Sequence, residues 1–111
     1  MDKLYVIVRS DLKPGLQTAQ ALHAGMSWCK IYDEVPTNVV VLSVPALEDL
    51  SVLGDQLRDK ACRSFCFHEP DLNDQATAIA VGGEASKFLA NLPLALRDDP
   101  KFDTIYVQRE A

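Results

Sequence analysis

The chain has 111 residues, of which 48% are hydrophobic, 24% charged and 7% aromatic. This length fits a single domain, and the composition is typical of a globular protein rather than a disordered, collagen-like or disulfide-rich chain. The apolar runs are too short for a transmembrane helix, and the N-terminus does not resemble a secretory signal. Because the three cysteines are an odd number and no export signal is evident, we expect reduced thiols and a cytoplasmic protein.

The net charge is −5, from 16 acidic and 11 basic residues. Nucleic-acid binders usually carry the opposite sign, because their affinity comes from neutralising phosphates and releasing counterions. Any role on RNA must therefore depend on a local basic patch.

The first two predicted elements are a strand and a helix. Residues 4–8 form a continuous apolar run, which is typical of a strand buried on both faces. A helical pattern follows from residue 16 to about residue 33, with Pro14 placed as a first helical residue. The stripe that we predict to face the core contains Ala19, Leu22, Met26 and Cys29. A second stripe beside it contains Gln20, His23, Ser27 and Lys30.

The rest of the chain predicts three more strands and two more helices. Residues 39–42 form a second buried strand, and a helix starting at Pro45 follows it. A third strand runs over residues 62–67 and a fourth over residues 77–81. The turn between them is too short for a helical crossover, so we expect these two strands to be antiparallel neighbours. A third helix is marked by Ala85, Phe88, Leu89 and Leu92, and residues 102–107 are extended in character.

The element order β-α-β-α-β-β-α predicts an α/β fold. We expect one domain over residues 1–111, built as a three-layer α/β/α sandwich around a small mixed sheet of about four strands. The first, second and fourth strands should be central or well buried, because their residues leave almost no polar face.

Candidate functional residues gather where the first strand ends. Ligands of open α/β sheets bind beyond the carboxyl ends of the parallel strands, and Arg9 and Lys13 lie at that edge. Gln20 and His23 are three residues apart on the first helix and face the same way, and His23 could act as a general base. On the residues alone, a half-buried structural histidine is an equally good interpretation.

Other patterns carry weaker signals. The spacing of Cys62, Cys66 and His68 does not suit zinc, and we expect no metal. Glycines 82 and 83 precede a helix, but two glycines alone are a weak anion-site signal. P-loop, dinucleotide-binding and serine-hydrolase motifs do not occur.

Two separate segments together resemble the type II peptidyl-tRNA hydrolases. The segment from Arg9 to Gly15, followed by Ala19-Gln20 and His23-Ala24, is similar to the opening of that family. Residues 77–82, Thr-Ala-Ile-Ala-Val-Gly, resemble the end of a strand in the same family. The resemblance covers roughly residues 3 to 92.

The resemblance implies a fold, an activity and a set of site residues. Members hydrolyse the ester between a peptide and the 3′ end of tRNA without a metal or cofactor, on a three-layer fold with a mixed sheet. Position by position, it implies catalytic roles for His23, Gln20, Thr77 and Asp71, and substrate-binding roles for Arg9, Lys13 and Glu69. Either Glu69 or Asp71 could be the acidic residue of the family.

This sequence departs from the family's pattern at two places that affect the expected substrate. Leu16 stands where the family has a loop lysine, and residues 70–74, Pro-Asp-Leu-Asn-Asp, replace the family's Arg-Thr-Gln segment between the last two strands. We therefore expect weak binding of peptidyl-tRNA or another acylated tRNA. The alternative function is a non-catalytic binding module for a protein partner or a small acylated ligand. No membrane contact is expected, and a homodimer is left open.

Overall fold

The computed structural model describes residues 3–97, and the predicted extended segment 102–107 lies outside them. Four strands are present, β1 (Lys3–Arg9), β2 (Asn38–Val44), β3 (Ser64–Glu69) and β4 (Gln75–Gly82). The α-helices are α1 (Pro14–Tyr32) and α2 (Leu47–Asp59), and 3₁₀ helices span Pro70–Leu72 and Gly83–Phe88. The prediction of an α/β fold with a four-stranded mixed sheet is confirmed.

The sheet has the strand order β2-β1-β4-β3. β1 is parallel to β2 and antiparallel to β4, and β3 is antiparallel to β4 as the short turn predicted. β1, β2 and β3 therefore run in the same direction, and their carboxyl ends meet at one edge of the sheet. Glu69 at the end of β3 thus lies at the same edge as Arg9 at the end of β1, which the sequence left open.

Alternate residues of β1 enter two separate hydrophobic clusters. Tyr5 and Ile7 pack in one cluster with residues of α2, and Leu4, Val6 and Val8 pack in the other with residues of α1. The two helices therefore cover opposite faces of the sheet. This explains the continuous apolar run of β1, because neither face of that strand meets water.

The predicted core stripe of α1 is wrong. Its buried residues are Gln17, Gln20, Ala24 and Trp28. Of the predicted stripe, Leu22 and Met26 are 61% and 69% exposed, Ala19 is exposed and Cys29 is only partly buried. The prediction chose the stripe by its apolar residues, but a glutamine can be buried when its amide finds hydrogen-bond partners in the sheet.

Two further predictions need correction. β2 is an edge strand rather than a central one, and Val39 in its first half is 58% exposed. The predicted third helix is a 3₁₀ helix, Gly83–Phe88, whose Ala85 and neighbouring Leu89 are buried. Within residues 3–97, no helix combines the length and apolar character needed to span a membrane.

Matched valine substitutions test the assignment of the core. Val81 in β4 is fully buried, whereas Val52 on α2 is 57% exposed. Val81→Ala should lower the free energy of unfolding by about 2 kcal/mol, because it removes buried methyl groups and leaves a cavity. Val52→Ala should change that free energy by less than about 0.5 kcal/mol. Urea unfolding measures both, and equal effects would contradict the described packing.

Candidate functional site

The candidate site lies at the sheet edge where β3 ends and β4 begins. Glu69 and Gln75 are paired in the register of these two strands. The Glu69 side chain lies on the face of the sheet that α1 covers, and α1 carries Gln20 and His23. Phe67 also lies on this face, because it precedes Glu69 by two residues in β3 and packs against the α1-side cluster.

A β-bulge turns Thr77 toward α1. Phe67 pairs with Ala78 and His68 pairs with Ala76, so Thr77 is the extra residue of β4. Regular alternation would place Thr77 on the α2 face with Ile79. Instead its hydroxyl contacts α1, and Ala76 joins the α2-side cluster. Bulges often re-aim a side chain in this way next to functional sites.

Gln20 links Thr77 to Glu69 through both ends of its amide. The Thr77 hydroxyl donates to Gln20 Oε1 at 2.6 Å, and Gln20 Nε2 donates to Glu69 Oε1 at 2.8 Å. Gln20 is 1% exposed and Thr77 is fully buried. Because a buried polar group is costly without a partner, this chain of hydrogen bonds fixes the orientation of the Glu69 carboxylate.

Of the two candidate acidic residues, the side chain of Glu69 contacts Gln20 and that of Asp71 does not. The second carboxylate oxygen, Glu69 Oε2, accepts a hydrogen bond from the Asp71 backbone N–H at 3.2 Å, while the Asp71 side chain is exposed. The hydrogen bond from Gln20 lowers the pKa of Glu69, and the Asp71 N–H and the charge of His23 act in the same direction. Glu69 is therefore held as a carboxylate.

His23 lies on α1 near that carboxylate, and its side chain is exposed. Its ring stacks on Phe67 with 4.8 Å between the ring centroids and an interplanar angle of 9°. Stacking fixes the plane of the imidazole, and the residue as a whole is exposed. The site thus presents an accessible imidazole close to an oriented carboxylate, which is an arrangement suited to moving a proton.

Of the two predicted basic residues, Arg9 is held by its neighbours at the sheet edge and Lys13 lies far along α1 from His23. Arg9 is 6% exposed, and its guanidinium donates to both carboxylate oxygens of Asp11, to Gln75 and to the Ala76 carbonyl. The hydrogen bond from Arg9 lowers the pKa of Asp11. Lys13 is exposed at the start of α1, about 15 Å along the helix axis from His23 at 1.5 Å per residue.

Two of the three described cysteines pack on the α2 side of the sheet. Cys62 and Cys66 pack against the α2-side cluster, and burial raises the pKa of both thiols. Residues 3–97 contain no group of three or more potential ligands placed to hold a metal ion.

The sequence predicted four residues that the structure brings together, namely Gln20, His23, Glu69 and Thr77. It missed Phe67, although the spacing of two from Glu69 on a strand was a usable signal. Comparison of the chain with models of known protein families and with curated proteins gave no match.

A double-mutant cycle tests the buried link between Gln20 and Thr77. Gln20→Leu and Thr77→Val should each cost about 1–3 kcal/mol of unfolding free energy, because each leaves a buried polar partner unsatisfied. The double variant should cost less than the sum, with a coupling of about 0.5–3 kcal/mol. Urea unfolding of the four proteins measures this coupling, and strictly additive effects would exclude the described hydrogen bond.

Proposed function

We propose that this protein hydrolyses the ester bond of an acylated tRNA, with His23 as the general base. The observation that carries the proposal is the buried pair of Gln20 and Thr77, which orients the Glu69 carboxylate on the side of the sheet where the exposed His23 ring lies. Burying two polar side chains between a helix and a sheet adds little to a core that apolar residues could fill. Such an arrangement is expected where a carboxylate must be oriented for function.

The reaction follows from these positions. His23 takes a proton from a water molecule, whose oxygen attacks the ester carbonyl carbon. The tetrahedral intermediate then collapses, the bond to the ribose oxygen breaks, and the imidazolium returns its proton to that oxygen. The products are a free carboxylic acid and tRNA with a free hydroxyl. Glu69 stabilises the imidazolium that forms between these two steps.

The lowered pKa of Glu69 favours His23 over Glu69 as the general base. A general base works best when its pKa lies near the working pH, and a carboxylate with a lowered pKa is a weak base. Histidine is the side chain that most often serves as a general base in enzymes. We therefore assign the base to His23 and an electrostatic role to Glu69.

Gln20 and Thr77 are positioning residues in this proposal. Both are buried, so they reach the reacting atoms through Glu69 rather than by contact. The resemblance had implied direct catalytic roles for both residues and for Asp71. The exposed Asp71 side chain supports a role at the rim of the site, and its backbone N–H supports the orientation of Glu69.

Fold and sequence resemblance support the choice of substrate. Helices on both faces of a mixed four-stranded sheet are compatible with the three-layer sandwich of the type II peptidyl-tRNA hydrolases. The matching residues His23, Gln20 and Thr77 are the ones that carry the site. A peptidyl-tRNA hydrolase of this kind would work in the cytoplasm, without a metal or cofactor.

The second candidate function is a non-catalytic binding module on the same fold. The ion pair between Arg9 and Asp11 favours this second function. It neutralises one of the two cationic side chains that were expected to contact tRNA phosphates. A module of this kind would bind a protein or a small acylated ligand at the His23 side of α1. The assay below separates the two functions.

Substitution of His23 tests the proposed hydrolase. His23→Ala should lower kcat for deacylation of N-acetyl-aminoacyl-tRNA by about 10²-fold or more, the usual scale for a lost acid–base group. The matched control is His68→Ala, since His68 is exposed on β3 and lies outside the hydrogen-bonded chain. His68→Ala should keep kcat within about twofold of the unchanged protein.

Two results would overturn this assignment. If the protein deacylates the substrate and His23→Ala does so equally well, His23 is not the base. If the unchanged protein binds the acylated tRNA or its acyl group without hydrolysis, the binding module is the correct function.

A further inference from the structure

Arg9 is a buried cation at the carboxyl end of β1, and the proposed reaction does not use it. Its side chain is 8% exposed and forms an ion pair with the partly exposed side chain of Asp11. Burying a charge costs free energy unless the charge is paired and hydrogen-bonded, so a buried arginine needs specific partners. An arginine that binds tRNA phosphates would instead present its guanidinium to solvent.

The guanidinium of Arg9 joins β1 to β4 beyond the last residues of their register. That register runs as far as Val8 and Ala78. Arg9 is the next residue of β1, and its Nη1 donates to the Ala76 carbonyl at 3.1 Å and to Gln75 Oε1 at 2.9 Å. The Arg9 side chain therefore takes over from backbone pairing at the start of β4.

The residues that Arg9 holds lie directly before the bulge that carries Thr77. A bulge leaves its extra residue without a partner in the neighbouring strand, so the direction of that residue depends on how the flanking backbone is held. Ala76 precedes Thr77, and Gln75 is the register partner of Glu69. Arg9 thus contacts both the residue before the bulge and the residue opposite the Glu69 carboxylate.

Asp11 fixes the guanidinium in the orientation that these contacts need. Its two carboxylate oxygens accept hydrogen bonds from Arg9 Nε at 3.0 Å and from Arg9 Nη2 at 2.8 Å, while Nη1 donates to β4. A lysine has a single nitrogen and no rigid fork, so it cannot reproduce this set of contacts. The contacts therefore depend on the shape of the side chain as well as on its charge.

We propose that Arg9 is a positioning residue of the candidate site, which fixes the start of β4 so that the bulged Thr77 faces Gln20. Thr77 in turn orients the Gln20 amide and, through it, the Glu69 carboxylate. This role replaces the substrate-binding role that the resemblance implied for Arg9. The positioning stands on the geometry alone, whereas its effect on kcat rests on the proposed hydrolase function.

Arg9→Lys tests the proposal, because lysine keeps the positive charge and loses the fork. A phosphate contact tolerates this change, since lysine also binds phosphate as a point charge. The matched control is Arg58→Lys on α2, where the arginine side chain is 64% exposed and pairs with Asp55. Both variants are compared with the unchanged protein by NMR titration of Glu69, and by kcat and KM for deacylation of N-acetyl-aminoacyl-tRNA.

We expect Arg9→Lys to raise the pKa of Glu69 toward its usual value, because the Gln20 amide that lowers this pKa is no longer held by a fixed Thr77. The value of kcat should fall by about tenfold or more while KM stays within about twofold, since misplacing the site affects the reaction rather than binding. Arg58→Lys should change none of these quantities.

The proposal fails on either of two results. An unchanged pKa of Glu69 in folded Arg9→Lys would show that Arg9 stabilises the fold without positioning the site. A higher KM with unchanged kcat and an unchanged pKa of Glu69 would return Arg9 to substrate binding.

The NMR titration decides the positioning even if the protein does not hydrolyse acylated tRNA. A raised pKa of Glu69 in a protein without that activity would support the positioning and refute the proposed hydrolase. If Arg9→Lys does not fold, Asp11→Asn replaces it, because it removes the charge that orients the guanidinium and keeps Arg9 in β1. Asp11→Asn should then raise the pKa of Glu69, and an unchanged pKa would overturn the proposal.

Discussion

The site depends on one buried side chain, the amide of Gln20. An amide between a helix and a sheet must have both its oxygen and its nitrogen satisfied, since an unpaired buried polar group costs about 1–3 kcal/mol. Here Thr77 satisfies the oxygen and Glu69 satisfies the nitrogen. These two bonds join α1 to β4 and to β3. They also select the face of α1 that meets the sheet, with Ala24 and Trp28 on the same face.

The sequence predicted those features that depend on local periodicity and turn length. The apolar run of β1 and the short turn between β3 and β4 were sufficient for the strands and for their antiparallel pairing. It did not predict the buried face of α1, because a stripe containing Leu22 and Met26 is more hydrophobic than one containing Gln20. The turn of Thr77 toward α1 depends on a β-bulge, which is a property of paired strands rather than of one segment.

The helix α1 separates two surfaces of different character. On one flank His23, stacked on Phe67, lies near the oriented Glu69 carboxylate. On the other flank an apolar groove reaches the edge of β2, where residues 93–95 already lie. One helix therefore contributes to the packing on the sheet, to the candidate active site and to the wall of an apolar groove. This division accounts for the presence of polar residues in its core-facing stripe and apolar residues outside it.

The most direct test of the account is an NMR titration of the Glu69 side-chain carboxyl in the unchanged protein and in Gln20→Leu. The hydrogen bond from Gln20 should hold the pKa of Glu69 below its usual value, so that its contribution to stability is present above that value and is lost as the pH falls through the lowered pKa. In Gln20→Leu the pKa of Glu69 should rise toward the usual value. An identical pKa of Glu69 in the two folded proteins would contradict the claim that Gln20 orients this carboxylate.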